Sequence, residues 1–383
     1  MLVGVEVAVA TLLCILAGLT ARSADNLLST EVGVDADGVL TLAVADVWER
    51  PAHEQVTYFR EIVEAVERVP GVERAGVMDY VDFLAEDDFA RIYFLDRSFQ
   101  PTRDMREEWR RVDAGLFEAA GMAMMSGRAF EQPDFEGTPR VAIVNRAFAD
   151  KHYPNGQALG ELLSTHNAAY RDLTIVGVVA DVRSLGPSTP APPMLYVPNQ
   201  GSPRGHQGMY VRVDGDPMML ADAIRDAIWS VDPSEPVAAI VPLSDLVARW
   251  TAIPLATRTL VLTLAVLAMF LSAVGVFGVV AYAVRTRRSE LGVRLALGAS
   301  PTRLESEVVA RVLPVALVAV LAGAASGIGA ARSARAVLHG VDPLDLPSLA
   351  GALVAMTAAT ALATWLPARR AGRIDPAEAM RPD

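Results

Sequence analysis

Four long apolar runs are the most prominent pattern along this chain. They cover Leu2–Ala21, Thr259–Val284, Val312–Ala331 and Pro347–Leu366. Each is long enough to cross a bilayer, which takes about 20 predominantly apolar residues in a helix. The first run has no basic start and carries Glu6, so we interpret it as a retained anchor and not as a cleaved signal peptide. The pattern therefore predicts four transmembrane helices.

The polar stretch between the first two runs alternates strand and helix patterns. Val39–Val47 is strand-like in composition. The helix pattern at 53–69 has one apolar face formed by Val56, Phe59, Ile62, Val63 and Val66. The same order recurs near the end of the stretch as "MYVRVDG", "PMMLADAIRDAIWSV" and "DPSEPVAAIV". We interpret the two copies as βαβ halves of a ferredoxin-like unit, separated by a β-rich insert at about residues 100–205.

Charge separates the chain into two parts. Residues 21–258 contain 22 Arg and Lys against 36 Asp and Glu, a net charge of −14, whereas the remainder has a net charge of +3. The second and third runs are joined by a loop rich in arginine, and the end of the chain is rich in arginine too: Arg285, Arg287, Arg288, Arg294, Arg303, Arg369, Arg370, Arg373 and Arg381. Short loops rich in arginine stay in the cytoplasm, so this loop and the end of the chain are predicted to be cytoplasmic. With four membrane crossings, the acidic domain between the first two runs then lies on the opposite, extracytoplasmic side.

Together these patterns predict a fold class: an α-helical four-span membrane protein with a large α+β extracytoplasmic domain. The expected boundaries are a first transmembrane helix at 1–21, the outer domain at 22–258 and a membrane domain at 259–383. Helices at 259–284, 312–331 and 347–366 and a cytoplasmic tail at 367–383 make up the membrane domain.

Residues for catalysis or cofactor binding do not form a recognisable set in the sequence. No G-x-x-x-x-G-K-[ST] motif occurs, so the chain lacks the usual phosphate-binding loop of an ATPase. The five histidines and the single cysteine, Cys14, have no metal-ligand spacing. We therefore expect no catalytic residues, no metal, no cofactor and no nucleic-acid partner.

The short segment after the second run is amphipathic and charged. Leu291 and Leu295 share one face of the predicted helix, while Glu290 and Arg294 form an i,i+4 pair on another face. Gly298 suits the position just after the helix. Two interpretations are open: a helix lying on anionic lipid, or a docking helix that receives movement from a cytoplasmic partner.

Two motifs carry a resemblance to a known family. "GVFGVVAYAVRTRRSELGVRLALGAS" and the ending "LPARRAGRIDPAEAMRPD" resemble the signatures of FtsX/MacB-type ABC transporter permeases. Sequence motifs of the family's periplasmic core domain are resembled by three further stretches, "VAIVNRAFADKHYPNGQALG", "IVGVVADVR" and "LYVP". The N-terminal "VEVAVATLLCILAGLTARSADNLL" is similar to the middle of duplicated permeases, where a second half begins.

The resemblance implies a permease that relays movement and does not itself hydrolyse ATP. A separate cytoplasmic ABC ATPase would dock on the segment Ser289, Glu290, Leu291, Gly292, Arg294, Leu295 and Gly298. The relayed motion would serve export or extraction of an amphiphilic substrate, with a periplasmic or outer-membrane protein as a further partner. An alternative from another class is an ATPase-driven anchor that regulates a cell-wall hydrolase.

Small residues within the runs favour close helix packing. Gly323 and Gly327 form a small-xxx-small pair in the third run, and Gly275 and Gly278 lie in the second. These glycines suit contact with a second permease copy, as a homodimer or with a paralogue, but packing within one copy explains them equally well. Membrane lipid is the remaining expected partner.

Overall fold

A computed structural model describes residues 2–371 except 45–50, 80–90, 96–100, 137–139, 166–169, 185, 200–206, 238, 288–289, 291–292, 295–296, 298–299, 336–337 and 339. The helices and strands are, in order, α1 (Leu2–Leu28), β1 (Val39–Val44), α2 (Ala52–Glu67), β2 (Val72–Met78), β3 (Arg91–Leu95), β4 (Pro101–Val112), α3 (Leu116–Ala119), β5 (Met124–Gly127), β6 (Val141–Asn145), α4 (Arg146–His152), β7 (Leu162–Leu163), β8 (Leu173–Val179), β9 (Met194–Pro198), β10 (Gln207–Val213), α5 (Ala221–Val231), β11 (Val241–Pro242), α6 (Leu243–Thr286), α7 (Pro301–Ser333) and α8 (Leu346–Ala371). Contacts divide the chain into two compact units, Thr30–Trp250 and a second made of Met1–Ser29 with Thr251–Asp383.

The first unit contains the predicted ferredoxin-like arrangement. Strands β11, β1, β10 and β2 lie side by side in that order, and each neighbouring pair is antiparallel. Helices α2 and α5 cross over between the strands, and Phe59, Ile62 and Val66 of α2 are buried in one core with Ile224 and Ile228 of α5. The two βαβ halves inferred from the repeated pattern are therefore confirmed.

The β-rich insert extends the same sheet. From β2 the order continues through β4, β9, β6, β8 and β5, with β4–β9 and β6–β8 parallel and β6–β9 antiparallel. Phe117 and Tyr196 pack edge to face with ring centroids 5.3 Å apart, in a core that also holds Ile143 and Met194. A single mixed sheet thus joins the ferredoxin-like unit to the insert.

Four helices are long and apolar enough to cross a membrane, namely α1, α6, α7 and α8, and the second unit contains all of them except the first residues of α6, up to Trp250. Helix α1 packs against both α7 and α8, and these two helices also pack against each other. Val7 and Ala10 of α1 share a buried core with Val276 of α6, Val320 of α7 and Met356 of α8. Each predicted apolar run lies in one of these four helices, so the predicted fold class is confirmed.

Candidate functional site

The charged segment after α6 is described at two of its predicted docking residues. Glu290 and Arg294 are helical, and Arg294 Nη2 donates to Glu290 Oε1 at 2.7 Å, which confirms the predicted i,i+4 pair. The other predicted docking residues, Ser289, Leu291, Gly292, Leu295 and Gly298, lie outside the described residues.

Arg294 also reaches the first turns of α7. Its Nη1 donates to both carboxylate oxygens of Glu307, at 3.1 and 3.3 Å. Arg311, one turn further along α7, places Nη2 3.5 Å from Glu307 Oε1. The four side chains form a continuous ladder of alternating charge, Glu290–Arg294–Glu307–Arg311. The segment predicted to dock an ATPase is therefore tied by ion pairs to a membrane helix.

A cavity of about 160 Å³ lies beneath this ladder. Val280 and Val284 of α6 form one apolar wall, and Val308 and Val312 of α7 form the other. The ladder residues line the cavity together with Leu304, which is 2% exposed. Glu290 and Arg294 of the charged segment thus share the lining of this cavity with apolar residues of α6 and α7, and Arg294 is tied to α7 by its ion pair with Glu307.

The sequence patterns did not identify Glu307 and Arg311. These two residues form an i,i+4 pair like Glu290 and Arg294, but such pairs are common on solvated helix surfaces and carry little specificity. Their role becomes visible only when α7 is placed beside the charged segment. The ladder is half exposed, because the side chains of all four residues retain 43–55% of their accessible surface.

Two of the predicted packing glycines fit against α1. A Cβ added at Gly323 would collide with the Ala8 carbonyl oxygen and lie 2.7 Å from the Thr11 Cβ. At Gly327 an added Cβ would lie 3.2 Å from Ile15 Cδ1. The small-xxx-small pair therefore allows α1 and α7 to approach closely within one copy.

The two glycines of α6 differ from each other. A Cβ at Gly275 would collide with the carboxylate of Glu6 on α1, whereas at Gly278 it would meet no atom within 4 Å. Phe270 and Tyr282, two turns before and one turn after Gly278, are 68% and 72% exposed. Among the four glycines, Gly278 lies on a face of α6 with no partner in the described part of this copy.

Metal-ligating side chains do not cluster in the parts of the chain described here. No group of three or more His, Cys, Asp or Glu with ligand geometry occurs among the described residues. Two further ion pairs lie near the ends of these helices, Arg258 Nη1 with Asp25 Oδ1 at 2.6 Å and Arg22 Nη1 with Asp345 Oδ2 at 3.3 Å.

Several known proteins are similar to this chain. An ABC transporter permease of Bacillus subtilis, YvrN, is 19% identical over 99% of this chain and 94% of its own length. The macrolide export ATP-binding/permease protein MacB of Agrobacterium fabrum is 27% identical over 71% of this chain, and the chain spans only 43% of that relative. A second B. subtilis permease, YknZ, is 20% identical over 70% of this chain and 68% of its own length.

Two solved structures are also similar. The periplasmic region of MacB from Actinobacillus actinomycetemcomitans matches with a TM-score of 0.39 and 13% identity, over 57% of this chain and 95% of that one. The extracellular domain of the ABC-type transporter YknZ matches with a TM-score of 0.32 and 15% identity, over 49% of this chain and 88% of that one.

Two family models match the chain. The MacB-like periplasmic core domain matches residues 7–228, and the FtsX-like permease C-terminal domain matches residues 262–376. The family and the four apolar helices make this a multi-pass protein of the inner (cell) membrane with its large domain extracytoplasmic. Because the first model alone covers more than half of the chain, this protein belongs to the MacB/FtsX family of ABC transporter permeases.

Proposed function

We propose that this permease is a mechanotransmitter. It couples ATP hydrolysis by a separate cytoplasmic ATPase to movement of the extracytoplasmic domain, and that movement exports or extracts an amphiphilic substrate. Membership of an ABC transporter family implies an ATPase partner. The MacB relatives are named for both ATP binding and macrolide export, and this chain lacks the phosphate-binding motif, so we assign ATP binding to the partner.

The observation that carries this proposal is the contact between Arg294 and Glu307. A partner that pushes on the charged segment moves Arg294, and the ion pairs and the cavity wall beneath it pass the displacement to α7. Exposed ion pairs contribute only about 0–1 kcal/mol each to stability. Loss of the ladder should therefore cost little folding free energy. We assign it a role in passing movement of the charged segment to α7.

Docking and relay can be separated by variants. The double variant Glu290→Ala/Arg294→Ala removes the proposed docking charges and should weaken co-purification of the ATPase while membrane insertion stays intact. Glu307→Gln lies on α7 and should leave co-purification unchanged. It should reduce the nucleotide-dependent change in distance between spin labels placed at Ser234→Cys on the outer domains of two copies, in a Cys14→Ser background.

A charge swap and a matched control sharpen the test. In a Glu290→Gln/Arg311→Gln background, which removes the outer charges of the ladder, Arg294→Glu combined with Glu307→Arg restores an opposite pair at the same place and should recover the relay better than either single change. Glu305→Gln removes a neighbouring carboxylate of α7 that does not pair with Arg294 and should behave as wild type. Full binding of the ATPase by the Glu290/Arg294 double variant would refute the docking assignment.

Pairing of two permease copies is part of the proposal. The face of α6 around Gly278 is apolar and open, and a relay driven by an ATPase dimer needs two outer domains that move against each other. The partner copy is a second copy of this chain or a paralogue, with lipid on the remaining apolar surfaces and a periplasmic or outer-membrane protein as a further partner. Mass measurement of the solubilised complex tests this, and a fully coupled complex with one permease chain would overturn it.

A further inference from the structure

Helices α7 and α8 form a groove that the proposed relay does not use. Its volume is about 590 Å³, within the range of about 300–1,000 Å³ typical of ligand sites. Residues between 309 and 320 of α7 line one side, and residues between 357 and 365 of α8 line the other. None of them lines the cavity beneath the charged ladder, so the groove is a separate feature of the membrane unit.

The groove is apolar and open on one side. Small side chains of α8, among them Ala358 and Ala361, leave room beside the larger Leu313 and Leu317 of α7 and Leu362 of α8. These three leucines are each more than half exposed. Lipid tails are as apolar as leucine, so within a bilayer either an acyl chain or a helix of another protein covers such a surface.

The depth of the groove matches one leaflet of the bilayer. Helix α6 leaves the extracytoplasmic domain, so α7 begins and α8 ends on the cytoplasmic side. Val309 and Val320 are eleven residues apart, which is about 16 Å along a helix. That is about half of a hydrocarbon core of about 30 Å. A membrane helix of another protein would contact the whole core, whereas an acyl chain of the cytoplasmic leaflet ends where the groove ends.

An aromatic and a basic side chain mark the cytoplasmic end of the groove. Trp365 lines this end, and the guanidinium carbon of Arg369, one turn further along α8, lies 5.0 Å from the centroid of the Trp365 ring. Tryptophan favours the level of the lipid headgroups. A guanidinium stacked on an aromatic ring keeps the N–H donors at its edge, in the geometry that binds a phosphate group.

The charge at this end of the membrane helices favours a headgroup with a net negative charge. Arg369 forms no ion pair or hydrogen bond with the described residues. Residues 285–311, on the same side of the membrane, contain six arginines against three glutamates. Basic groups next to membrane helices on the cytoplasmic side attract anionic lipids more than zwitterionic ones, whose amine they repel.

We propose that this groove binds an anionic phospholipid of the cytoplasmic leaflet: one acyl chain lies between α7 and α8, and the phosphate accepts hydrogen bonds from Arg369 beside Trp365. The inference goes beyond the proposed relay and needs no ATPase. It gives the helix that carries Glu307 a specific lipid ligand on its other neighbour, α8.

The headgroup preference can be measured on the wild-type chain. The probes are phosphatidylglycerol and phosphatidylcholine with identical acyl chains, each titrated into the detergent-solubilised full chain. Native mass spectrometry counts the lipids that stay bound. One phosphatidylglycerol should bind roughly tenfold more tightly than phosphatidylcholine, the size expected for one charge-assisted contact.

Variants with matched controls locate the site. Arg369→Gln should remove the preference for phosphatidylglycerol, whereas Arg303→Gln, which removes an exposed arginine of the same side outside the groove lining, should retain it. Ala361→Trp fills the groove and should abolish tight binding of both lipids. Ala355→Trp adds the same ring at an exposed position of α8 outside the groove lining and should bind lipid as the wild type does.

The occupant of the groove can be identified in cells. Ala361→Cys in a Cys14→Ser background, modified with a benzophenone maleimide, should crosslink to phospholipid on illumination. A crosslink to a membrane protein instead would assign the groove to a partner helix and overturn the proposal.

Three other results would also overturn it: equal affinity for the two lipids, the same lipid preference in Arg369→Gln and Arg303→Gln, or equal binding by Ala361→Trp and Ala355→Trp. Misfolding of one variant does not remove the test, because the comparison of the two lipids uses the wild-type chain.

Discussion

Replacing Gly323 by alanine should destabilise the membrane unit, although alanine is the better helix former. An Ala in a helix interior is favoured over Gly by about 1 kcal/mol. At Gly323 the new methyl group would collide with the carbonyl oxygen of Ala8 and lie 2.7 Å from the Thr11 Cβ, well inside the ordinary carbon–carbon contact distance of about 3.5–4.0 Å. Overpacking of this kind costs about 1–3 kcal/mol, so the expected net change runs from near zero to a loss of about 2 kcal/mol.

Gly278 supplies the matched control on another helix. An alanine there meets no atom of the same copy within 4 Å, so only the helix-propensity gain of up to about 1 kcal/mol applies. The two variants should therefore differ by about 1–3 kcal/mol, the size of the steric term alone. Thermal unfolding of each variant in the same detergent measures the difference, and mass measurement reports whether Gly278→Ala weakens pairing of copies.

The relative stability of the two variants shows whether Gly323 packs closely against α1. If Gly323→Ala is as stable as Gly278→Ala, α1 and α7 do not approach closely at this point, and the small-xxx-small pair faces something else. If Gly278→Ala loses the paired state while the single copy keeps its stability, that glycine lies in the contact between copies.

Three further predictions concern the outer domain and its orientation. Burial raises the pKa of Asp113 to about 7 in the folded protein. The free energy of unfolding should therefore fall by up to about 4 kcal/mol as the pH rises from about 4 to 7 and Asp113 ionises. Asp113→Asn should flatten that part of the stability–pH curve. Asp79 Oδ2 lies 2.7 Å from Nε of the buried Arg111, so Asp79→Ala leaves a buried charge without its carboxylate. We expect chemical unfolding to show a loss of about 3–5 kcal/mol in the free energy of unfolding. The control Glu64→Ala, which removes one member of an exposed pair, should lose at most about 1 kcal/mol. In a Cys14→Ser background, an impermeant maleimide should label Ser234→Cys but not Thr302→Cys in intact cells, and the opposite pattern would contradict the orientation.

The hydrophobic pattern by itself determined the four membrane helices and the two βαβ halves. Helical and strand periodicity are local properties, so the buried face of α2, with Phe59, Ile62 and Val66, could be identified from spacing alone. The Glu290–Arg294 pair was predictable for the same reason, because residues four apart on a helix are neighbours whatever the rest of the chain does. The motif that follows the second apolar run and the motif at the end of the chain indicated the family through the order of their residues alone.

Only the tertiary structure decided which distant residues meet. Arg294 and Glu307 are separated by a helix break, and the contact exists because α7 begins beside the charged segment. The sequence left open whether Gly323 faces its own chain or another copy, and the placement of α1 against α7 resolves this in favour of its own chain. A cavity of the outer domain likewise combines residues of α2, β2 and the insert. Such contacts depend on how helices and strands pack in three dimensions, and neither periodicity nor motif spacing carries that information.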